Sequence, residues 1–292
     1  MISWARKTVK RLIAVILYIL HRYKFLPNHI KVHTVDETLD ILLNTEKSMV
    51  RFGDGEIVVI AGRSIPTQSG NSDISEGLKR ILSYPYEDLI VTVPDIFGNL
   101  NIYVPSSKHF WQDHLMFFRH TYEKYCNINK IYYNTSVTRG YITYADKSHS
   151  ADWFEKFRRV WEGKKVVVVE GAATHNGVGN DLLNLADSVE RIICPSKNAF
   201  SVRKKIIKEC LKFGKDRLFL LSVGVTAKFL TEELFLNGYR AIDIGNLDME
   251  YEWFLQKAKV KVPLFKHSVV GIEANKKAGY KEYLDQIVCM VE

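Results

Sequence analysis

No Cys-x-x-Cys pair, no apolar run of bilayer-crossing length and no Gly-x-Gly-x-x-Gly fingerprint occur in these 292 residues. Each absence removes a class. The four cysteines, Cys126, Cys194, Cys210 and Cys289, stand far apart, so neither a zinc site nor a disulfide framework is indicated. They read as reduced thiols of a cytoplasmic protein. The apolar stretch 12–20 has nine residues, whereas a spanning helix needs about 20. His21-Arg22-Tyr23-Lys24 behind it offers no small-residue cleavage site, which argues against a signal peptide. Repeats and low-complexity linkers are also missing.

Acid is missing from the first 31 residues. Arg6, Lys7, Lys10, Arg11, Arg22, Lys24 and Lys31 carry +7 of the formal net charge of +8, which leaves +1 for the rest of the chain. A nucleic-acid binder spreads its basic residues over the folded face that grips phosphate, so nucleic acid is not an expected partner. With Trp4, Tyr18 and Tyr23 as interfacial anchors, the arm 1–31 reads as a helix lying on an anionic membrane surface. The alternative is an apolar helix packed on the body. With no export signal the body is expected in the cytoplasm, and the membrane reading makes it peripheral at the inner face of the cell membrane, with residues 32–292 as its folded domain.

Hydrophobic residues make up 47% and charged residues 25% of the chain, ordinary for a globular protein. The pattern predicts a helix over 36–45, a strand over 49–52 running into a turn at 53–56, a strand over 89–93, and helices over 106–125 and 148–162. From residue 164 strands and helices alternate. Valines 166–169 precede a glycine-containing turn and a helical stretch 180–186. The run 192–194 precedes helix 199–213, the run 218–223 precedes helix 226–237, and the run 241–244 precedes helix 248–258. The expected fold is α/β, a Rossmann-like, mostly parallel sheet with helices on both faces, plus an N-terminal basic amphipathic helix. Right-handed crossovers bring the loops after the strands to one edge, where such sheets bind ligands.

Three segments carry candidate chemistry. In Gly53-Asp54-Gly55-Glu56, two carboxylates at i and i+2 sit between glycines and can turn toward one point; hard cations such as Mg²⁺ or Mn²⁺ take such oxygen ligands beside a diphosphate. Arg51 is placed for a bidentate phosphate contact. The alternative is a solvated acidic turn. In the loop 170–181, Gly177 and Gly179 permit close backbone approach, and a helix opening at Asn180-Asp181 would offer its positive end to phosphate. A turn that merely needs glycine explains them as well. Asp243, Asp248, Glu250 and Glu252 form an acidic cluster; the last three are candidates for orienting or deprotonating an acceptor hydroxyl, while Asp248 also suits an N-cap. Ser196 and Asn198 could bond a uracil or ribose, or cap helix 199–213.

Taken in order, the blocks 50–56, 169–171, 177–182, 193–196 with 198–200, and 241–245 running on to 248–254 resemble the GT-D glycosyltransferase family, first described as a domain of unknown function in streptococcal adhesin glycosylation clusters. The blocks cover roughly residues 35–258. The resemblance implies a Rossmann-like fold, a UDP-hexose donor such as UDP-glucose, and an Asp-x-Glu motif for Mn²⁺ or Mg²⁺ that falls on Asp54 and Glu56. Donor contacts would then come from Arg51, Gly53, Gly177, Gly179, Asn180, Asp181, Ser196 and Asn198, and the acceptor would be a glycan, a glycoprotein or a lipid-linked glycan. Two positions depart from the family pattern. Asn246 stands where members often have His after Ile-Gly, and Ala172-Ala173 follow Glu170-Gly171 where members often have Glu-Lys. The competing expectations are another Rossmann-like enzyme, a dehydrogenase or methyltransferase, and a non-catalytic membrane-tethered scaffold.

Overall fold

The computed structural model describes residues 2–84, 86–264 and 279–292, without the side chains of 2–8, 10, 11 and 14. The side chains of Trp4, Arg6, Lys7, Lys10 and Arg11 therefore lie outside the described residues. The chain opens with helix α1 (Ile2–Arg22), strand β1 (Lys31–Val32), α2 (Val35–Asn44), β2 (Ser48–Arg51), α3 (Asp54–Ile60) and α4 (Ser72–Leu82). Then follow β3 (Leu89–Val93), α5 (Pro105–Tyr125), β4 (Ile131–Asn134), α6 (Ser150–Arg159), β5 (Lys165–Gly171) and β6 (Ser188–Cys194). The last third holds α7 (Arg203–Cys210), β7 (Arg217–Ser222), α8 (Thr226–Leu236), β8 (Arg240–Asp243), α9 (Leu247–Leu255), α10 (Tyr280–Asp285) and β9 (Ile287–Met290).

The nine described strands form one sheet in the order β1-β4-β3-β2-β8-β7-β5-β6-β9, and every pairing is parallel. Alternate residues leave a strand on opposite faces, and both faces here are buried. Val166, Val168, Leu218 and Leu220 enter one apolar core, while Val167, Val169, Phe219 and Leu221 enter another. This explains why β5 and β7 read as unbroken apolar runs rather than as alternating ones.

Local chemistry sets the helix starts. Thr34 and Glu37 form a reciprocal capping box on α2, and Asn71 Oδ1 accepts from Ile74 N at 2.8 Å to open α4. Two sequence expectations change. Residues 53–56 are not a free turn: Gly53 is the N-cap of α3, and Asp54-Gly55-Glu56 is that helix's first turn. No helix forms over 180–186, which is a series of turns. Gly177 and Gly179 there adopt φ +74° and +75°, and Asn180 turns its Oδ1 onto Leu182 N at 3.0 Å, a local bond that competes with helix formation.

Candidate active site

The pairing of β2 with β8, through Met49 opposite Ile242, joins the early and late parts of the chain. At the carboxyl ends of β2, β8, β7 and β5 lies a cleft of about 910 Å³. Such an edge is where open α/β sheets hold ligands. Five cations line it, Arg51, Arg139, Lys228, Lys259 and Lys261, against three carboxylates, Asp54, Glu56 and Asp243. The balance favours an anionic ligand.

Lys228, in the first half of α8, is the centre of the acidic wall. Its Nζ donates to Glu56 Oε1 at 2.7 Å, to Asp243 Oδ2 at 3.0 Å and to the Gly224 carbonyl at 3.3 Å. Burial alone would raise the Glu56 carboxyl, but the Lys228 ammonium and the Gly53 amide hold it below the usual carboxylate range. Glu56 Oε2 accepts from Gly53 N at 2.8 Å, so both its oxygens are engaged. Asp54 lines the same wall, and its carboxylate makes no hydrogen bond among the described residues. The Asp-x-Glu pair is thus divided: one carboxylate open to the cleft, one committed to a lysine.

Arg51, at the end of β2, is 6% exposed. Its Nε donates to the Thr135 carbonyl at 3.3 Å, while Nη1 and Nη2 make no hydrogen bond among the described residues. Burial pulls the guanidinium below its ordinary value against the opposing charge of Asp243, yet an arginine stays protonated in proteins. Gly245, at φ +49°, lies so close that a Cβ there would collide with this guanidinium. Glycine at 245 therefore leaves room for Arg51 against the cleft.

On the opposite side, Asn198 takes a left-handed conformation at φ +54°. Its Oδ1 accepts from Ser69 N at 2.8 Å and Gln68 Nε2 at 3.4 Å, and its own N donates to the Thr67 carbonyl at 2.9 Å. It staples the loop 65–70 to the end of β6, and both segments line the cleft along with Ser196.

The remaining sequence candidates lie outside the cleft lining. Gly177 N donates to Asp248 Oδ1 at 2.8 Å, and Asn180 Nδ2 donates to Asp248 Oδ1 at 2.9 Å and Glu252 Oε1 at 2.6 Å. Asp181 accepts from Tyr251 OH at 2.7 Å and pairs with Arg158 at 3.1 Å. The loop carrying Gly177 and Gly179 is therefore sewn onto α9, outside the lining of the cleft. Asp248 and Glu250 are 0% and 1% exposed. Glu250 Oε2 accepts from Ile142 N at 2.9 Å and Tyr141 N at 3.3 Å, and burial raises its carboxyl above the usual range. These bonds give Asp248, Glu250 and Glu252 contacts within the protein, outside the lining of the cleft. Sequence reasoning missed Lys228 altogether, and only the sheet's strand order brings it to Glu56 and Asp243.

A family model described as the glycosyltransferase GT-D fold matches residues 49–271. The chain belongs to this glycosyltransferase family. Among curated relatives, the glycosyltransferase GlyD of Streptococcus pneumoniae serotype 4 is 41% identical over 234 residues, covering 80% of this chain and 29% of the relative. A probable glycosyl transferase Gly of Streptococcus gordonii is 40% identical over 236 residues, covering 80% and 34%. The chain thus spans about a third of the length of these two. A solved structure described as the distinct glycosyltransferase fold of the highly conserved domain of unknown function 1792 is 35% identical, with a TM-score of 0.85 over 97% of this chain and 100% of that one. A structure described as a new glycosyltransferase of the same domain from Streptococcus sanguinis is 36% identical, with a TM-score of 0.83 over 90% and 100%. Asp54, Glu56, Lys228 and Asp243 all lie within the matched span.

Proposed function

We propose that the protein transfers a hexose, glucose first among the candidates, from a UDP-sugar to a cell-surface glycan, a glycoprotein or a lipid-linked glycan. The observation that carries this reading is the open carboxylate of Asp54 beside the unspent guanidinium of Arg51, in a cleft with an excess of cations. A volume of about 910 Å³ lies at the roomy end of ligand pockets, roughly 300–1,000 Å³, as a nucleotide sugar requires. The planar Arg51 fork matches a phosphate in two-point fashion, and Lys228 adds a fixed positive charge to the same wall. Ser196 and the stapled loop 65–70 supply a polar lip for the nucleoside.

Mn²⁺ or Mg²⁺ fits this wall through one protein ligand more than through two. Asp54 is an oxygen donor with no hydrogen bond of its own, whereas Glu56 is held by Lys228 and Gly53 N. No group of three ligating side chains occurs among the described residues. Hard cations beside phosphates are commonly held by one or two carboxylates, the phosphate oxygens and water. When bound there, the ion would act as a Lewis acid that neutralises the departing diphosphate. The chain's own part is to present Asp54 at the first turn of α3, to keep Glu56 ionised through Lys228, and to hold Arg51 against Gly245.

A thermal-shift panel of UDP-, GDP- and dTDP-sugars, with and without Mn²⁺, tests the reading, because a ligand that binds only the folded state raises stability by mass action. UDP-hexose with Mn²⁺ should give the largest rise in Tm, and turnover should follow the same order. If no UDP-sugar moves the midpoint, the donor assignment fails. If Mn²⁺ adds nothing in wild type, the metal assignment fails while the donor assignment stands.

A further inference from the structure

A second cleft, of about 570 Å³, lies between α1, α5 and the loop 96–100. Tyr18, His21, Arg22, Lys24 and Arg119 line it. Arg119 is 8% exposed, and its Nε and Nη1 make no hydrogen bond among the described residues; the Tyr18 hydroxyl and His21 Nδ1 are buried in the same condition. Glu123 stands 3.7 Å from Arg119 Nη1 and 3.5 Å from His21 Nε2. Burial and then the charge of Arg119 lower the imidazole's affinity for a proton, against the pull of Glu123. Arg22, Lys24 and Arg119 thus outnumber Glu123 by two charges. Glu123 meets part of the demand of Arg119 and His21, but Arg119 Nε and the Tyr18 hydroxyl have no hydrogen bond among the described residues; a buried donor left unspent is costly, and an anion entering here would accept from these two.

The helix that forms one wall also presents an uncovered apolar face. Val9, Leu12, Ile13 and Ile16 follow one another at helical spacing and are all exposed, by 47–60% of their surface, and Tyr23 is exposed just past the end of the helix. Leu17 and Ile19 flank them, and Phe25 is exposed just beyond the helix. No described helix is long and apolar enough to cross a membrane. An apolar stripe with cations alongside is the pattern of a helix that lies in the headgroup plane of an anionic bilayer.

We propose that α1 docks on an anionic lipid bilayer, its exposed apolar face at the headgroup–acyl boundary and a lipid phosphate in the cleft formed with Arg22, Lys24 and Arg119. The cations supply the preference for anionic lipid, the stripe supplies the apolar contact, and the cleft supplies a seat for one headgroup. This inference is independent of the sugar-transfer reading, since neither Asp54 nor Arg51 takes part.

Co-sedimentation of the full chain with phosphatidylcholine vesicles, with and without phosphatidylglycerol, tests it. The protein should pellet with the anionic vesicles and stay in solution with the neutral ones. Arg22→Gln with Lys24→Gln, both at exposed positions, should weaken that binding about tenfold while Tm and UDP-sugar hydrolysis hold. Ile13→Ser with Ile16→Ser should weaken it at least as much. Equal pelleting with neutral vesicles, or unchanged binding in the Arg22/Lys24 variant, overturns the proposal. So does inorganic phosphate raising Tm in a chain that ignores vesicles, which would make the cleft a site for free anion. A dimer in vesicle-free solution that Ile13→Ser with Ile16→Ser dissolves would assign the face to a second copy, and overturns it as well.

Discussion

Two buried arginines, one in the middle of β6 and one at the end of β2, belong to one sheet and have opposite relations to their surroundings. Arg191 spends all three nitrogens on the protein: Nη1 on Glu170 at 2.6 Å, Nη2 on the Asn176 carbonyl at 2.9 Å and Nε on Gln286 at 2.7 Å, with Tyr283 under the guanidinium. Glu170 is equally occupied, since Oε2 accepts both the backbone and side-chain N–H groups of Asn176 at 2.8 Å. Arg51 spends only Nε. Burial of a charge is therefore a poor guide to function; the count of donors left over is a better one. A saturated pair ties the loop after β5 to the chain's end, and an unsaturated one waits on a cleft wall.

The strongest way to break this contrast is Arg191→Met, which leaves Glu170 buried and uncompensated. It should cost about 3–5 kcal/mol in denaturant unfolding, with UDP-sugar affinity of the folded fraction unchanged. Arg51→Met should instead hold its unfolding midpoint within a fraction of that loss and weaken UDP-sugar binding. Equal destabilisation by the two would erase the distinction. Next in size, Asp54→Asn should lower kcat/KM about 100-fold, roughly 2.7 kcal/mol of transition-state stabilisation, with Tm within a few degrees of wild type. A variant with wild-type turnover and unshifted Mn²⁺ dependence would remove Asp54 from the site.

A smaller effect sharpens the comparison from the saturated side. Gly179→Val forces a branched residue to φ +75° and should cost about 1–3 kcal/mol, while UDP affinity remains unchanged because this loop is sewn to α9. Weakened UDP binding in a folded variant would return the loop to the donor site. The smallest effect concerns acid. Glu56 titrates lower in the folded chain than in the unfolded one, so its stabilising contribution is complete above the unfolded value, about 4.3. That contribution is lost as pH falls through the lower folded value. Tm measured from neutral pH into the acid range should therefore fall less steeply in Glu56→Gln than in wild type. Parallel curves would mean that Lys228 does not hold the carboxylate.

Much of the fold was legible because its elements carry local signals. Four apolar runs each followed by a helical pattern predict β5 to β8 as a parallel sheet, and only the helix after β5 failed to form. Helix α4 was passed over although Ile74, Leu78, Ile81 and Leu82 lie on one buried face behind an Asn71 cap, and β4, with four residues, is too short for periodicity to mark. In the site, Arg51, Asp54 and Glu56 were legible as a compact motif, and Ser196 and Asn198 as polar residues after a strand. Gly177 and Gly179 were legible only as a turn, for a physical reason: a glycine at positive φ reports a turn, whatever that turn faces, and this one lies outside the cleft lining. Lys228 was invisible because a lysine within a helix usually reads as solvated, and its two carboxylates stand some 15 and 172 positions away. Strand order alone brings the three together.

The adjacency of β2 and β8 bears on how the protein is made. About 190 residues separate Met49 from its partner Ile242, and at 5–20 residues per second their synthesis takes roughly 10–40 seconds. Throughout that interval β2 has emerged with Arg51 and Asp54 attached and β3 can pair with one of its edges, while β8, which lies along the other, has not. An apolar parallel edge is open to wrong partners for as long as it is unpaired. The half of the cleft wall that carries the open carboxylate thus precedes the lysine that completes it, and a chain stalled before β8 holds no site at all. Catalytic competence arrives only when the seam closes, which makes late translation the stage at which a chaperone would have the most to protect.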